Sequence, residues 1–180
     1  MGPPESGIGE IYAEHFNFVW RNLRRLGVSP SSMDDAVQDV FLVVHRRLPE
    51  FEARSQLKTW LFGIVLRVAR EQRRSARRHS DRLAAAALNE PDALPNDDTS
   101  PHDQTERREA AALLHEVLAT MNDDRRSVFV LVELEQMTVP EVAAALSMKL
   151  NTAYTRLRDA REIFEAAVAR YAARDRRETR

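Results

Sequence analysis

Asn151, Thr152, Tyr154, Thr155, Arg156 and Arg158 crowd into one short stretch near the C-terminal end of a 180-residue chain. These side chains can read base edges. A carboxamide pairs bidentately with adenine, a guanidinium takes guanine or phosphate, and a threonine methyl can meet that of thymine. A second cationic concentration lies far upstream. Arg67, Arg70, Arg73, Arg74, Arg77, Arg78 and Arg82 gather there against only Glu71 and Asp81. Arg67, Arg70, Arg74 and Arg77 recur at i, i+3, i+7 and i+10, which on a helix is one face. Such a stripe tracks a phosphate backbone, and log affinity falls by about 0.7–0.9 per phosphate contact per decade of salt. Trp60 and Phe62 precede it, and aromatic rings near a basic stripe can stack on unpaired bases. Each reading has a plainer competitor: a core position for Trp60, a solvated helix end for the arginines, and two packed amphipathic helices with a solvated face for the C-terminal group.

Other chemistry is missing from the pattern. The five histidines, His15, His45, His79, His102 and His115, stand at no metal-ligand spacing, and cysteine is absent. There is no glycine-rich phosphate loop and no nucleophile elbow. The Asp34/Asp35 pair suits a helix N-terminus, where the dipole favours negative charge. The expectation is therefore no catalytic constellation, no cofactor and no metal site.

The elements that must carry these residues are helices. Ile11, Tyr12, Phe16, Val19, Leu23 and Leu26 form one apolar stripe, ended by Gly27. Ala36, Val37, Val40, Phe41, Val44 and Leu48 form a second, with Ser31 or Ser32 as its cap and Pro49 as its stop. Leu57, Trp60, Leu61, Ile64, Val65 and Val68 form a third that runs into the arginine stripe. Helical spacing resumes with Ala110, Leu113, Leu114, Val117, Leu118 and Met121, then with Val128 to Leu134. Thr138 and Glu141 have capping-box spacing, and Pro140 costs nothing in a first turn. Ser147-Met148-Lys149 then turns the chain into a last helix. Its Ala153, Leu157, Ala160 and Phe164 share a buried face opposite the base-reading group. This is a helix-turn-helix, which sets its second helix in a major groove. No strand pattern of useful length is present.

Charge is segregated. Lysine plus arginine less aspartate plus glutamate is +4 over residues 1–88, −6 over 89–120 and +1 over 121–180, so the net −1 conceals local basic patches. Pro91, Pro95 and Pro101 punctuate the acidic part, which reads as a flexible linker. Asp34, Asp35, Gln38, Asp39 and Leu42 can lie on one side of the second helix, opposite its core stripe, as an acidic and apolar surface. That side would repel DNA and suits a basic protein partner, or is simply solvated. No window has the apolar length to span a bilayer, and the first residues show no secretory pattern, so a cytoplasmic setting without membrane insertion is expected.

These residues support a resemblance. Asp35-Ala36-Val37-Gln38-Asp39-Val40-Phe41-Leu42 resembles the D-hydrophobic-V-Q-E-T-F helix of bacterial sigma factors. Phe51 to Arg74, with Leu57-Lys58-Thr59-Trp60-Leu61-Phe62-Gly63-Ile64, is similar to their F-x-x-x-x-x-L-x-T-W-L-x-x-I-A segment. Asn151-Thr152-Ala153-Tyr154-Thr155-Arg156-Leu157-Arg158-Asp159-Ala160-Arg161 resembles their G-T-V-K-S-R-L-x-R-A-R. Two modules and a short linker resemble the extracytoplasmic-function group. The chain departs from the pattern at Arg67, Glu71, Ser147, Asn151 and Tyr154, where Asn, Asp, Gly, Gly and Lys are usual.

The resemblance implies an all-α protein of two small helical domains: 8–88 for core polymerase and the −10 element, a flexible acidic linker 89–106, a helix-turn-helix domain 107–173 for the −35 element, and a frayed tail 174–180. It implies that Asp35, Gln38, Asp39 and Leu42 meet core RNA polymerase. Phe51, Arg54, Lys58, Trp60, Arg67, Arg70, Glu71 and Arg74 would bind the −10 element, and Asn151, Thr152, Tyr154, Thr155, Arg156 and Arg158 the −35 element. A loop before Leu57 would hold a base flipped from the opened strand, and the linker would thread toward the polymerase channel. Catalysis would belong to the polymerase, and an anti-sigma partner is expected to hold the chain inactive. A helix-turn-helix regulator acting without core polymerase is the alternative, but it would need no Gln38/Asp39/Trp60 module.

Overall fold

The computed structural model describes residues 7–51, 57–80 and 101–178. Helices α1 (Ile8–Arg25), α2 (Met33–Arg47) and α3 (Leu57–Ser80) form the N-terminal half. Helices α4 (Pro101–Thr120), α5 (Asp123–Phe129), α6 (Val139–Ala145) and α7 (Leu150–Glu178) form the C-terminal half. No strand occurs among the described residues.

The ends of these helices follow from their residues. α1 closes in a Schellman motif: Val28 N–H donates to Leu23 O at 3.1 Å and Gly27 N–H to Arg24 O at 2.9 Å. Gly27 takes φ +85°, which only glycine adopts without strain. The expected serine cap of α2 does not form. A 3-10 turn over Pro30–Ser32 winds straight into the helix, so Met33 N–H finds Pro30 O, and the serine hydroxyls bond one another. Asn122 caps α5 by accepting Arg125 N–H at 2.9 Å. A π-helical turn over Val130–Leu134 follows, ending at Gln136 with φ +57°.

α1, α2 and α3 pack on one another, and α5 and α6 pack on α7. Val19, Leu23, Val40, Val44, Leu61, Phe62 and Val65 are fully buried in the first half, as are Leu118, Val128, Val130, Leu131 and Val142 in the second. Phe62 is thus a core residue. The two sets belong to one continuous apolar cluster, because α3 packs against α6. Two small helical domains are the expectation from sequence; in the structure they share this core.

Two boundaries differ from expectation. Of the expected linker, residues 89–100 lie outside the described residues, while 101–106 form the start of α4. Pro101 opens that helix, where its missing amide has no intrahelical role. The chain from Arg174 to Glu178, expected to belong to a frayed tail, continues α7, and its Arg and Glu residues are good helix formers. No described helix is long and apolar enough to cross a membrane.

Candidate nucleic-acid interface

The helix-turn-helix is positioned by two local devices. Thr138 and Glu141 form the capping box: Thr138 N–H donates to Glu141 Oε2 at 2.8 Å, and Glu141 N–H reaches Thr138 Oγ1 at 3.5 Å. The bond from the Thr138 hydroxyl holds the Glu141 carboxyl below its ordinary pKa. At the other end of α6, Met148 N–H donates to Ala143 O and Ser147 N–H to Ala144 O, a second Schellman motif. Ser147 takes φ +50° there, the conformation in which glycine is the unstrained choice.

These devices aim α7. Ala153, Leu157 and Ala160 are buried against the module, and Phe164 packs on Phe129 at 5.2 Å between ring centroids. Asn151, Tyr154, Thr155 and Arg158 are exposed on the opposite side, and Tyr154 keeps 51% of its surface. Thr152 and Arg156 are half-buried at its flank. The exposed Thr155 donates its hydroxyl back to Asn151 O at 3.0 Å. α5 buttresses α7 through Arg125 Nη2 to Asp159 Oδ2 at 3.0 Å, and that bond holds the Asp159 carboxyl below its ordinary pKa.

On α3, Lys58, Arg67, Glu71 and Arg74 are exposed. Trp60 is half-buried and packs on the buried ring of Phe51 at 5.1 Å between centroids. Phe51 therefore supports Trp60 and offers no surface of its own. Arg54 and Arg82 lie outside the described residues. On α2, Asp35, Gln38 and Asp39 are exposed, and Leu42 keeps 44% of its surface. Asp39 Oδ2 accepts Gln72 Nε2 of α3 at 3.2 Å, so the acidic face is braced from the neighbouring helix.

Sequence reasoning missed what joins the halves. Asp124 of α5 accepts Arg70 Nη2 of α3 at 3.2 Å and pairs with Arg156 Nη2 of α7 at 2.7 Å. Asp123 accepts from Arg73. Arg126 is buried, with Nη1 on Leu26 O at 3.1 Å and Nη2 on Met121 O at 3.0 Å and Ala119 O at 3.2 Å. It thereby sits between the carbonyl-rich C-terminal ends of α1 and α4, where a cation is favoured. Glu135 accepts Arg25 Nη1 at 2.6 Å and Asn22 Nδ2 at 3.1 Å, with Arg21 Nε at 3.5 Å. One signal was present: Asn22 interrupts the apolar stripe of α1, and a buried carboxamide needs a partner.

The chain matches two family models, Sigma-70 region 2 over residues 11–79 and Sigma-70, region 4 over residues 111–163. It is 27% identical over 160 residues to the RNA polymerase sigma factor CnrH of Cupriavidus metallidurans, covering 87% of this chain and 84% of that one. It is 25% identical over 146 residues to the ECF RNA polymerase sigma-E factor of Escherichia coli K12, covering 78% and 76%. Among solved structures it shares its fold with the sigma factor RpoE of Bartonella quintana, crystallised with the anti-sigma factor NepR. The TM-score is 0.65 at 20% identity, over 88% of this chain and 96% of that one.

Proposed function

Because the chain belongs to the sigma-70 family, within its extracytoplasmic-function group, we propose a division of labour among its residues in promoter recognition. As a sigma factor it binds core RNA polymerase and directs it to promoters. The α2 face of Asp35, Gln38, Asp39 and Leu42 meets the polymerase, its carboxylates against cations and Leu42 against an apolar neighbour. Lys58, Arg67, Arg70 and Arg74 follow the −10 phosphates. Trp60, backed by Phe51, stacks on a base of the opened strand, while Arg54 and Glu71, the latter about three turns further along α3, also bind the −10 element. Asn151, Thr152, Tyr154, Thr155, Arg156 and Arg158 enter the major groove of the −35 element. The chain is a specificity subunit, and the polymerase carries out the chemistry. We place residues 8–88 as the −10 and core-binding module and 107–173 as the −35 module. An anti-sigma partner is also part of this reading, since the structurally similar RpoE is held by one.

The observation that carries the −35 assignment is the split of α7 into a sealed face and an exposed polar face, set on a capped α6. The region 2 match disfavours a regulator that works without core polymerase. The test is run-off transcription with purified core and a library of genomic fragments. Defined start sites that depend on the added chain support the reading. The same transcripts with and without it refute the reading.

A further inference from the structure

We propose that Gly63 is a contact point for the opened −10 strand: a bare floor on α3 against which a phosphodiester lies, with the neighbouring base on Trp60 and Arg67 closing over the phosphate. This deepens the reading above and rests on it for the −10 roles of Trp60 and Arg67.

The fold has no use of its own for a glycine at this position. Gly63 stands inside the 24-residue helix α3. The positive φ values among the described residues belong to Gly27, Gln136 and Ser147, so Gly63 keeps a backbone that any residue can adopt. A methyl group there would touch nothing, because no described atom outside the adjoining helix backbone lies within 4 Å. Gly27 is the opposite case, with φ +85° and Arg126 Nη1 only 2.6 Å from where its Cβ would stand. A glycine inside a helix lowers the folding equilibrium about four- to fivefold relative to alanine, through backbone entropy. No internal contact offsets that loss at Gly63. The family segment leaves the position open as well: it is the second x of T-W-L-x-x-I-A, so the glycine is a feature of this chain.

Its surroundings say what comes close. From Leu61 to Ala69 every residue but Gly63 and Arg67 is buried, so these two make up the open surface of that stretch of α3. Trp60, Gly63 and Arg67 recur at i, i+3 and i+7, one line along the helix. Helical side chains lean toward the N-terminus. Trp60 therefore leans away from Gly63, and its ring packs on Phe51 at 5.1 Å between centroids. Arg67 leans back toward the Gly63 turn without covering it. The line reads ring, gap, cation, with the Cα atoms of Trp60 and Arg67 about 10 Å apart along the axis. A strand fits that order if one base stacks on the ring and the adjoining phosphate settles in the gap beneath the guanidinium. Stacking requires an unpaired base, so the gap serves the opened strand and not the duplex.

The test uses the full-length chain with purified core, and a fluorescein-labelled single strand carrying the −10 region of the promoter that run-off transcription selects. Gly63→Ala should raise the urea midpoint of the free chain, because the fold loses no contact and gains a helix former. It should leave core affinity and −35 duplex affinity within twofold of the parent. Single-strand affinity of the holoenzyme should fall about tenfold. The slope of log affinity against log salt should become shallower by about 0.7, the share of one phosphate on a single strand. Arg67→Gln should lose the same contact, and adding Gly63→Ala to it should change the slope no further. A glycine of structural importance alone would move stability and leave the salt slope as it was. The proposal is overturned if Gly63→Ala lowers the urea midpoint, if single-strand affinity stays within twofold of the parent, or if the slope is unchanged. A parent that binds the strand while Gly63→Ala binds it equally well retires the proposal and leaves the −10 assignment standing. If run-off selects no promoter, or the parent holoenzyme binds the strand no better than core alone, the −10 assignment itself fails and the proposal falls with it.

Discussion

Ser147 holds φ +50° in the turn between α6 and α7, at a position where the family usually places glycine. Ser147→Gly should therefore stabilise the protein by up to about 1 kcal/mol, read as a higher urea midpoint at unchanged slope. Arg158 stands clear on the recognition face, apart from ion pairs with Asp159 and Glu162. Arg158→Ala should weaken −35 duplex binding by about 1–3 kcal/mol while leaving core affinity unchanged. Equal losses in both assays would remove Arg158 from the groove. Two histidines add a pH dependence. Burial lowers the pKa of His15, with Lys58 adding to the shift and Glu14 opposing it. His115 is exposed on α4, yet partial desolvation, with Arg24 and Arg126 adding to it and Glu116 opposing, lowers its pKa as well. Both folded-state values lie below the unfolded 6.5, so the unfolded chain binds more protons on acidification. Stability is full above about pH 6.5 and falls as the pH drops from there toward the folded values. Urea midpoints at pH 7.5 and 5.5 should show the loss, and His15→Leu should shrink it.

The elements divide into those the amino-acid pattern announces and those it does not. The capping box of α6 was legible because Thr138, Pro140 and Glu141 act within one turn, through bonds no distant residue can alter. Thr138→Ala should cost about 1 kcal/mol and lower −35 affinity with it, as measured by urea unfolding and duplex titration. The sealed and open faces of α7 were legible for the same reason: small apolar residues at helical spacing leave only one way to pack. The acidic side of α2 is likewise a matter of spacing. Asp39→Arg should weaken core polymerase binding by on the order of tenfold, about 1.4 kcal/mol. Pull-down of core at undiminished strength would count against that face. The serine cap of α2 was misread because a 3-10 turn supplied a backbone acceptor, a choice set by Pro30 and invisible to cap rules. The burial of Phe51 against Trp60 has no periodic signal, because Phe51 belongs to none of the apolar helix stripes. The π-helical turn has no periodic signature at all over five residues.

At the scale of the molecule, pattern reading saw two helical modules and no seam. Hydrophobic periodicity reports which face of a helix is buried but not against which partner, so Leu26 and Leu66 could not be assigned to an inter-module core. The ion pairs across the seam join residues 50 or more positions apart, as in Arg73 with Asp123 and, at a separation of 110, Arg25 with Glu135. No local rule reaches that far. One apolar cluster running through both halves predicts one cooperative transition for the intact chain. Differential scanning calorimetry should give a single peak, with Glu135→Arg splitting or broadening it. Two well-separated peaks in the unsubstituted protein would show that the halves melt independently.

Pulling α5 away from the end of α1 and from α3 bares the Leu26, Leu66 and Ala69 surface to water. A variant whose halves part would present that apolar face to water and should aggregate and be cut by added protease more readily than the parent chain.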